Sequence, residues 1–415
     1  MNRVHLENKS VSRYFFWFLW LTYALVYMTK NCFSAAMASI VADGVMTKSQ
    51  TGLIIAVFYI CYAPLQIAGG IFADKYDPEN LIKIGLLGSG IANLIIFFNQ
   101  NYYVMLIVWG LNACVQFAIW PAVFKIISSQ LVKEGRKPAA FYITLSSSAG
   151  LMLAYFAAAF IKKWQYNFLL SAIILFALVI SMQFVCKKVD RYFVDDAPII
   201  PKKTVDPTKD GFPSTYKLFL SSGFYIVVVI SFLRCLVELA VKALAPTMLM
   251  ESYSAISPSL GNLINILIIS MGIVGTLVVK FILYPKYIKS ELGGMLDTVA
   301  VTLPFCITLV FIGKIPSFVS VISMCVIICA LNATNLFGSY FNMYFAKYGK
   351  SGVAAGITNA AASFGIVVQS YGIAKVADVY NWNTVNLIFS ICILLAIVLC
   401  FVSISVWNRF RLKTF

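Results

Sequence analysis

The chain has 415 residues, of which 61% are hydrophobic and 12% are charged, and its mean hydropathy is +0.87. This composition lies far from that of soluble globular domains. The sole histidine, His5, lies in the N-terminal tail, and the ten cysteines form no C-x-x-C pair, which excludes histidine-based catalysis and cysteine zinc clusters. We therefore expect an integral membrane protein that is not an enzyme and that has no cofactor and no metal.

Twelve apolar runs, each long enough for a helix to cross a bilayer, fall into two sets of six. The first six predicted spans are Tyr14–Val41, Thr51–Ala73, Leu81–Phe98, Tyr103–Ile127, Ala139–Ile161 and Phe168–Val185. The second six are Phe219–Leu249, Leu260–Val279, Leu292–Ile312, Phe318–Phe345, Val353–Ala374 and Thr384–Val406. Between the two sets lies a long polar segment with several prolines and mixed charge, which is typical of a linker. The sequence thus predicts an N-terminal bundle over 1–185, a linker over 186–217 and a C-terminal bundle over 218–415.

The distribution of basic residues predicts the orientation in the membrane, because Lys and Arg favour the cytoplasmic side of short loops. When alternate loops are assigned to the two sides, 23 basic residues fall on one side and five on the other. Both termini and the linker are therefore predicted to be cytoplasmic, and the formal net charge of +16 reflects topology rather than nucleic-acid binding. We expect a monomeric, multi-pass protein of the cell membrane, and its short loops suit a bacterial inner membrane.

The loop count leaves four of the 32 basic residues, which lie well inside the predicted spans, namely Lys30, Lys125, Arg234 and Lys242. A cation within the bilayer costs several kcal/mol unless it is paired or faces water, so each is a candidate for function. Lys30 and Arg234 lie near the middle of the first helix of each set, which are equivalent places in the two halves. This equivalence predicts two cations that face one central cavity.

One carboxylate, Glu238, lies deep within a span, four residues after Arg234 and four before Lys242. This spacing places the three side chains on one face of the helix. Glu238 neutralises the charge of only one neighbour, so the site with Lys30 keeps a positive surplus that a mobile anion would compensate. The pattern predicts a small anionic solute as the partner of the site. Two alternatives are that Arg234 and Lys242 simply pair with Glu238, and that the Lys242 side chain extends to the outer surface.

Aromatic and amide side chains extend the predicted substrate-binding lining. Tyr23 and Tyr27 precede Lys30 at helical spacing and carry hydroxyls that can donate to an oxyanion. Gln116 and Trp120 follow each other at a spacing of four in the fourth span, and Asn359 lies in the eleventh. The alternative for each amide is that it holds neighbouring helices together.

The loop after the second span resembles the G-x-x-x-D-R/K motif of the major facilitator superfamily, through Gly70, Asp74 and Lys75. The resemblance implies a gating role for these residues at a cytoplasmic helix end. It also implies an all-α membrane protein with 12 transmembrane helices in two pseudo-symmetric six-helix bundles around a central cavity.

Four further patches are similar to the organophosphate:phosphate antiporters, the glycerol-3-phosphate and hexose-phosphate transporters. The patches are Tyr23 to Met37, Gln116 to Lys125, Gly272 to Leu277, and Gly352 to Thr358 followed by Asp378 and Trp382. In that family one arginine on helix 1 and one on helix 7 bind phosphate, and Lys30 and Arg234 fall at those places. Asn31, Gln66 and Ser148 stand where the family has a lysine, a lysine and a histidine.

The resemblance implies a secondary active transporter that exchanges a phosphate ester, a sugar or glycerol phosphate, for inorganic phosphate by rocker-switch alternating access. In this scheme Glu238 and Lys242 contribute coupling or charge pairing. Two other functions stay open at this point. One is proton-coupled transport of another anionic or zwitterionic solute with Glu238 as the titrating group, and the other is a transporter-like sensor of such a ligand.

Overall fold

The computed structural model describes residues 5–194, 215–283, 290–348 and 351–413. This part of the chain is almost entirely helical, with one small antiparallel sheet in which β1 (His5–Leu6) pairs with β2 (Phe193–Val194). The chain forms two compact units, Met1–Ile200 and Pro201–Phe415.

The described part of the first unit contains eight α-helices, and a π-helical turn, Ile126–Gln130, follows the sixth. The helices are α1 (Lys9–Lys30), α2 (Cys32–Ala42), α3 (Lys48–Lys75), α4 (Pro78–Phe98), α5 (Tyr102–Gln116), α6 (Ile119–Lys125), α7 (Lys133–Phe160) and α8 (Gln165–Asp190).

The described part of the second unit likewise contains eight α-helices. They are α9 (Thr215–Ser221), α10 (Phe224–Ser252), α11 (Pro258–Val278), α12 (Glu291–Leu309), α13 (Ser317–Tyr344), α14 (Ser351–Val367), α15 (Ala374–Val379) and α16 (Trp382–Lys413). π-Helical turns follow α11 at Val279–Leu283 and α14 at Val368–Ile373, and a 3-10 turn follows α13 at Phe345–Tyr348.

Eleven helical segments of the described chain are long and apolar enough to cross a membrane. Each of them overlaps one of the predicted spans. The remaining predicted span, Thr51–Ala73, lies within α3, a helix of 28 residues. The prediction of an all-α, multi-pass membrane protein is therefore confirmed. The predicted linker stays a prediction, because 195–214 lie outside the described residues, and α8 carries the sixth span on to Asp190.

The first predicted span is interrupted, and the interruption positions Lys30. Helix α1 ends at Lys30 and α2 begins at Cys32, with Asn31 between them. The Asn31 side-chain amide donates a hydrogen bond of 2.7 Å to the carbonyl of Tyr27, so it satisfies a carbonyl of the last turn of α1. Lys30 thus lies at the carboxyl end of a helix, where the helix dipole favours a cation.

The seventh predicted span also begins with a break. Gly223 has a φ of 74°, a left-handed conformation that glycine adopts without steric cost, and it separates α9 from α10. Helix α10 then runs through 29 residues, and most of its middle is buried within the unit. This burial places its charged residues, Arg234 and Glu238, inside the second unit.

Candidate functional site

The charged cluster of the second unit is built on one face of α10. The two oxygens of the Glu238 carboxylate each hold one cation: Arg234 Nη1 donates to Oε2, and Lys242 Nζ donates to Oε1 at 2.6 Å. Arg234 is 4% exposed and Glu238 is 3% exposed. The spacing of four residues therefore brings the three side chains together, as the sequence predicts.

Helix α13 supplies the neutral acceptors that complete this cluster. Arg234 Nη2 donates to Asn335 Oδ1 at 2.6 Å, and Arg234 Nη1 donates to the carbonyl of Leu331 at 3.1 Å. Lys242 Nζ donates to Asn332 Oδ1 at 3.0 Å. The Asn332 amide is oriented by α11, because its Nδ2 donates to the carbonyl of Gly272 at 2.8 Å. Both cations are thus held in place by oxygen atoms of two helices.

The formal charge of this cluster is positive by one, since two cations share one carboxylate. Uncompensated charge in a low-dielectric interior is costly, and an anion beside it would be stabilised. The alternative in which Lys242 extends to the outer surface is wrong, because its amino group turns inward to Glu238 and Asn332. The pairing of both cations with Glu238 is observed, and the formal charges of these three side chains sum to plus one.

A polar cavity adjoins Arg234. Its volume is about 80 Å³, which is room for several water molecules or one small polyatomic group. Hydroxyl and amide side chains dominate the lining, with Ser231, Thr334, Asn335, Asn342, Thr358 and Asn359 among them. Asn342 donates from Nδ2 to Thr358 Oγ1 at 2.9 Å, and its Oδ1 is buried without a hydrogen-bond partner among the described residues. Arg234 and Asn359 thus line one cavity, together with polar side chains that sequence reasoning missed, such as Ser231 and Thr334.

Lys30 has different surroundings in the first unit. Its Nζ lies 3.8 Å from the ring centroid of Tyr62, 5.0 Å from that of Tyr59, 5.1 Å from that of Phe58 and 5.5 Å from that of Tyr27. Within the described residues, Lys30 has no carboxylate partner and no hydrogen bond from its amino group. Four rings on α1 and α3 therefore hold this ammonium group through cation–π attraction. We call these four rings the aromatic cage.

Of the aromatic residues predicted on the first and fourth spans, Tyr27 belongs to this cage, and Tyr23 and Trp120 extend from it. The ring centroids of Tyr23 and Tyr27 lie 5.9 Å apart, and those of Tyr23 and Trp120 lie 4.8 Å apart. Sequence reasoning missed the three rings on α3, although Phe58, Tyr59 and Tyr62 share a helix and stand next to one another or one turn apart. The sequence shows that these rings cluster on one helix, but it does not show that the cluster lies against Lys30.

Gln116 is not brought to Lys30. Its Nε2 donates to Ser89 Oγ of α4 at 2.6 Å and to Asn112 Oδ1 at 3.3 Å, and the residue is 2% exposed. These contacts tie α5 to α4, which is the helix-holding alternative for an intramembrane amide. In the predicted gating motif, Lys75 is exposed at the end of α3, whereas the surroundings of Gly70 and of the Asp74 side chain lie outside the described part of the chain.

Comparison with known proteins identifies the family. Residues 19–370 match the family model described as Major Facilitator Superfamily. The chain belongs to the major facilitator superfamily. It is therefore a membrane protein of a transporter superfamily and not an enzyme, as predicted. The D-xylose-proton symporter, a solved structure, superimposes with a TM-score of 0.73 at 15% identity over 96% of this chain and 98% of that chain, which supports the same fold.

Curated relatives match shorter stretches. The membrane sensor protein UhpC of Salmonella typhimurium is 33% identical over 116 residues, which is 26% of this chain and 26% of that protein. The probable hexose phosphate transport protein of Chlamydia trachomatis serovar D is 28% identical over 121 residues, 29% of this chain and 26% of that protein. The matched stretches thus span about a quarter of each relative's length. Their names support the resemblance to the organophosphate:phosphate antiporters.

Proposed function

We propose that this member of the major facilitator superfamily transports a small organic anion, a phosphate ester such as a sugar or glycerol phosphate, in exchange for inorganic phosphate. The observation that carries the proposal is the buried cluster of Arg234, Glu238 and Lys242, which keeps one positive charge beside a polar cavity. A permanent surplus of charge within a membrane protein is best compensated by an anion that enters from water.

The contacts of Arg234 suit an oxyanion. The guanidinium is planar and is anchored by Glu238, Asn335 and the carbonyl of Leu331, so its orientation is set before a ligand arrives. Hydroxyl and amide groups of the adjoining cavity, including Thr358 and Asn359, provide hydrogen bonds for the polar remainder of the solute. The relatives named hexose phosphate transport protein and sugar phosphate exchanger support a sugar phosphate as that solute.

The role of Lys30 follows from its cage. The ammonium group contacts aromatic faces and has no carboxylate among the described residues, so its charge is available to an approaching anion. We expect Lys30 to bind the anion together with Arg234, which stays a prediction from their equivalent places in the two halves. An unloaded transporter would then carry unneutralised cations and change its access slowly, whereas a loaded one would change access readily, which favours exchange over leakage.

Exchange in proteoliposomes tests this proposal. Vesicles that hold the full chain and labelled phosphate should release label when external phosphate or a hexose phosphate is added. Arg234→Gln should lower this exchange by at least about 30-fold, because a buried, hydrogen-bonded charge contributes about 2 kcal/mol or more to binding. Lys314→Gln, which removes an exposed lysine of a loop, is the matched control and should exchange normally. Normal exchange by Arg234→Gln would reject the proposed anion site.

Sensing is the second candidate function, because relatives from two bacteria are named membrane sensor protein UhpC. A sensor needs the same anion site but does not need turnover. Phosphate-dependent thermal stabilisation of the purified protein without any exchange in vesicles would favour sensing. If net uptake instead followed an imposed proton gradient, proton coupling through Glu238 would replace phosphate exchange.

The proposed location is the bacterial inner membrane, with both termini cytoplasmic and the chain acting as a monomer.

A further inference from the structure

A second cavity lies in the first unit, where α1 and α7 begin. Its volume is about 410 Å³, within the range of small-molecule sites. Lys9, Arg13 and Trp17 border it from α1, and Glu134 and Tyr142 border it from α7. We call this cavity the α1–α7 groove. None of its lining residues belongs to the charged cluster of α10 or to the aromatic cage.

The groove has a charged mouth. Lys9 pairs with Glu134 at 3.0 Å, and both side chains are largely exposed. Arg13 is exposed and has neither a carboxylate nor a hydrogen-bond partner among the described residues. The three charges therefore sum to plus one, and Arg13 keeps its five donors for a ligand from outside the chain. A guanidinium with free donors matches the oxygens of a phosphate group.

The floor of the groove is apolar. Phe16, Leu131 and Ala139 line it and are buried. Trp17 and Tyr142 stand at its edge with about half of their surface exposed. The fifth predicted span begins at Ala139, just after the charged first turn of α7, so the groove lies where this helix is predicted to enter the bilayer. Trp and Tyr at such a border are the residues that sit at the level of lipid headgroups.

We infer that the α1–α7 groove binds the headgroup of an anionic phospholipid. Arg13 would hold the phosphate, with Lys9 beside it, and the apolar floor next to Trp17 would receive the first part of an acyl chain. A soluble phosphate has no use for that apolar floor, which is why the geometry points to a lipid. The predicted side of the membrane also favours an anionic lipid. The N-terminal tail and the loop before α7 belong to the loops with the excess of basic residues, so the groove is predicted to face the cytoplasmic leaflet, where anionic lipids lie.

Lipid titration followed by native mass spectrometry tests this inference. The full chain, delipidated in a neutral detergent, is titrated with phosphatidylglycerol and separately with phosphatidylcholine. We expect phosphatidylglycerol to bind more tightly. Arg13→Gln should weaken its binding about fivefold, the change that one basic residue provides at an anionic membrane surface, and should leave phosphatidylcholine binding unchanged. Arg409→Gln is the matched control, since it removes an exposed arginine near the end of α16, and should bind as the unmodified chain does.

A second variant should change binding in the opposite direction. Glu134→Gln removes the carboxylate beside Lys9 and raises the charge of the mouth from plus one to plus two, so phosphatidylglycerol should bind more tightly. Equal binding of the two lipids by the unmodified chain, or unchanged phosphatidylglycerol binding in both Arg13→Gln and Glu134→Gln, would overturn the inference. Displacement of the lipid by soluble glycerol phosphate at similar concentrations would also overturn it in favour of a free phosphate ester. None of these outcomes depends on Arg234 or on transport.

Discussion

Glu238 holds Arg234 on one carboxylate oxygen and Lys242 on the other, so it is the residue on which the buried cluster depends. Glu238→Gln should keep the shape of the side chain but leave two buried cations without a counter-charge. Removing one partner of a buried pair costs about 3–5 kcal/mol, so the melting temperature of the purified protein should fall. Glu7→Gln, at an exposed carboxylate, should leave it unchanged.

The same variant links the charge of the cluster to its proposed ligand. With the carboxylate gone, an anion in the cavity has two cations to neutralise, so added phosphate should raise the melting temperature of Glu238→Gln more than that of the unmodified chain. Equal stabilisation of the two proteins would mean that phosphate binds away from Glu238.

The aromatic cage makes a separate prediction at Tyr59, whose ring centroid lies 5.0 Å from Lys30 Nζ. Tyr59→Phe keeps a ring beside the ammonium group, whereas Tyr59→Leu removes it. If cation–π attraction positions Lys30, phosphate exchange by Tyr59→Phe should keep its apparent affinity, and Tyr59→Leu should weaken that affinity several-fold. If the Tyr59 hydroxyl binds the anion instead, the two variants would be equally impaired.

Between helices, close approach is set by single glycines. A Cβ added at Gly275 of α11 would overlap the backbone carbonyl of Cys329 on α13, whereas one added at Gly338 of α13 would meet nothing within 4 Å. Gly275→Ala should therefore push apart the two helices that carry Gly272 and Asn332, and lower the melting temperature. Gly338→Ala should leave it unchanged or raise it slightly, since alanine favours a helix by up to about 1 kcal/mol. Similar effects of both variants would contradict this packing.

For single helices, the sequence predicts the membrane spans better than it predicts where those spans are interrupted. Hydrophobicity alone locates the first span, yet it does not show that α1 stops at Lys30, where the Asn31 side chain donates to the carbonyl of Tyr27. The spacing of Arg234, Glu238 and Lys242 on one helix predicts their pairing, since helical geometry is local. The contacts of Asn332 and Asn335 from α13, and of the rings of α3 around Lys30, depend on which helices become neighbours, which no local pattern reveals.

For the whole molecule, the distribution of basic residues predicts the orientation in the membrane. The 23 basic residues of one set of loops against five of the other predict that the loop before α7 is cytoplasmic and the loop between α7 and α8 is outside. In a bacterial host, a green fluorescent protein fused after Gly135 should fluoresce, and alkaline phosphatase fused there should be inactive. Fusions after Lys163 should show the reverse, because α7 crosses the membrane between the two points. The opposite pattern at both points would mean that the topology is inverted and that the α1–α7 groove lies in the outer leaflet. The proposed anion site would not be affected, because the charged cluster lies near the middle of α10 and is equally far from both sides.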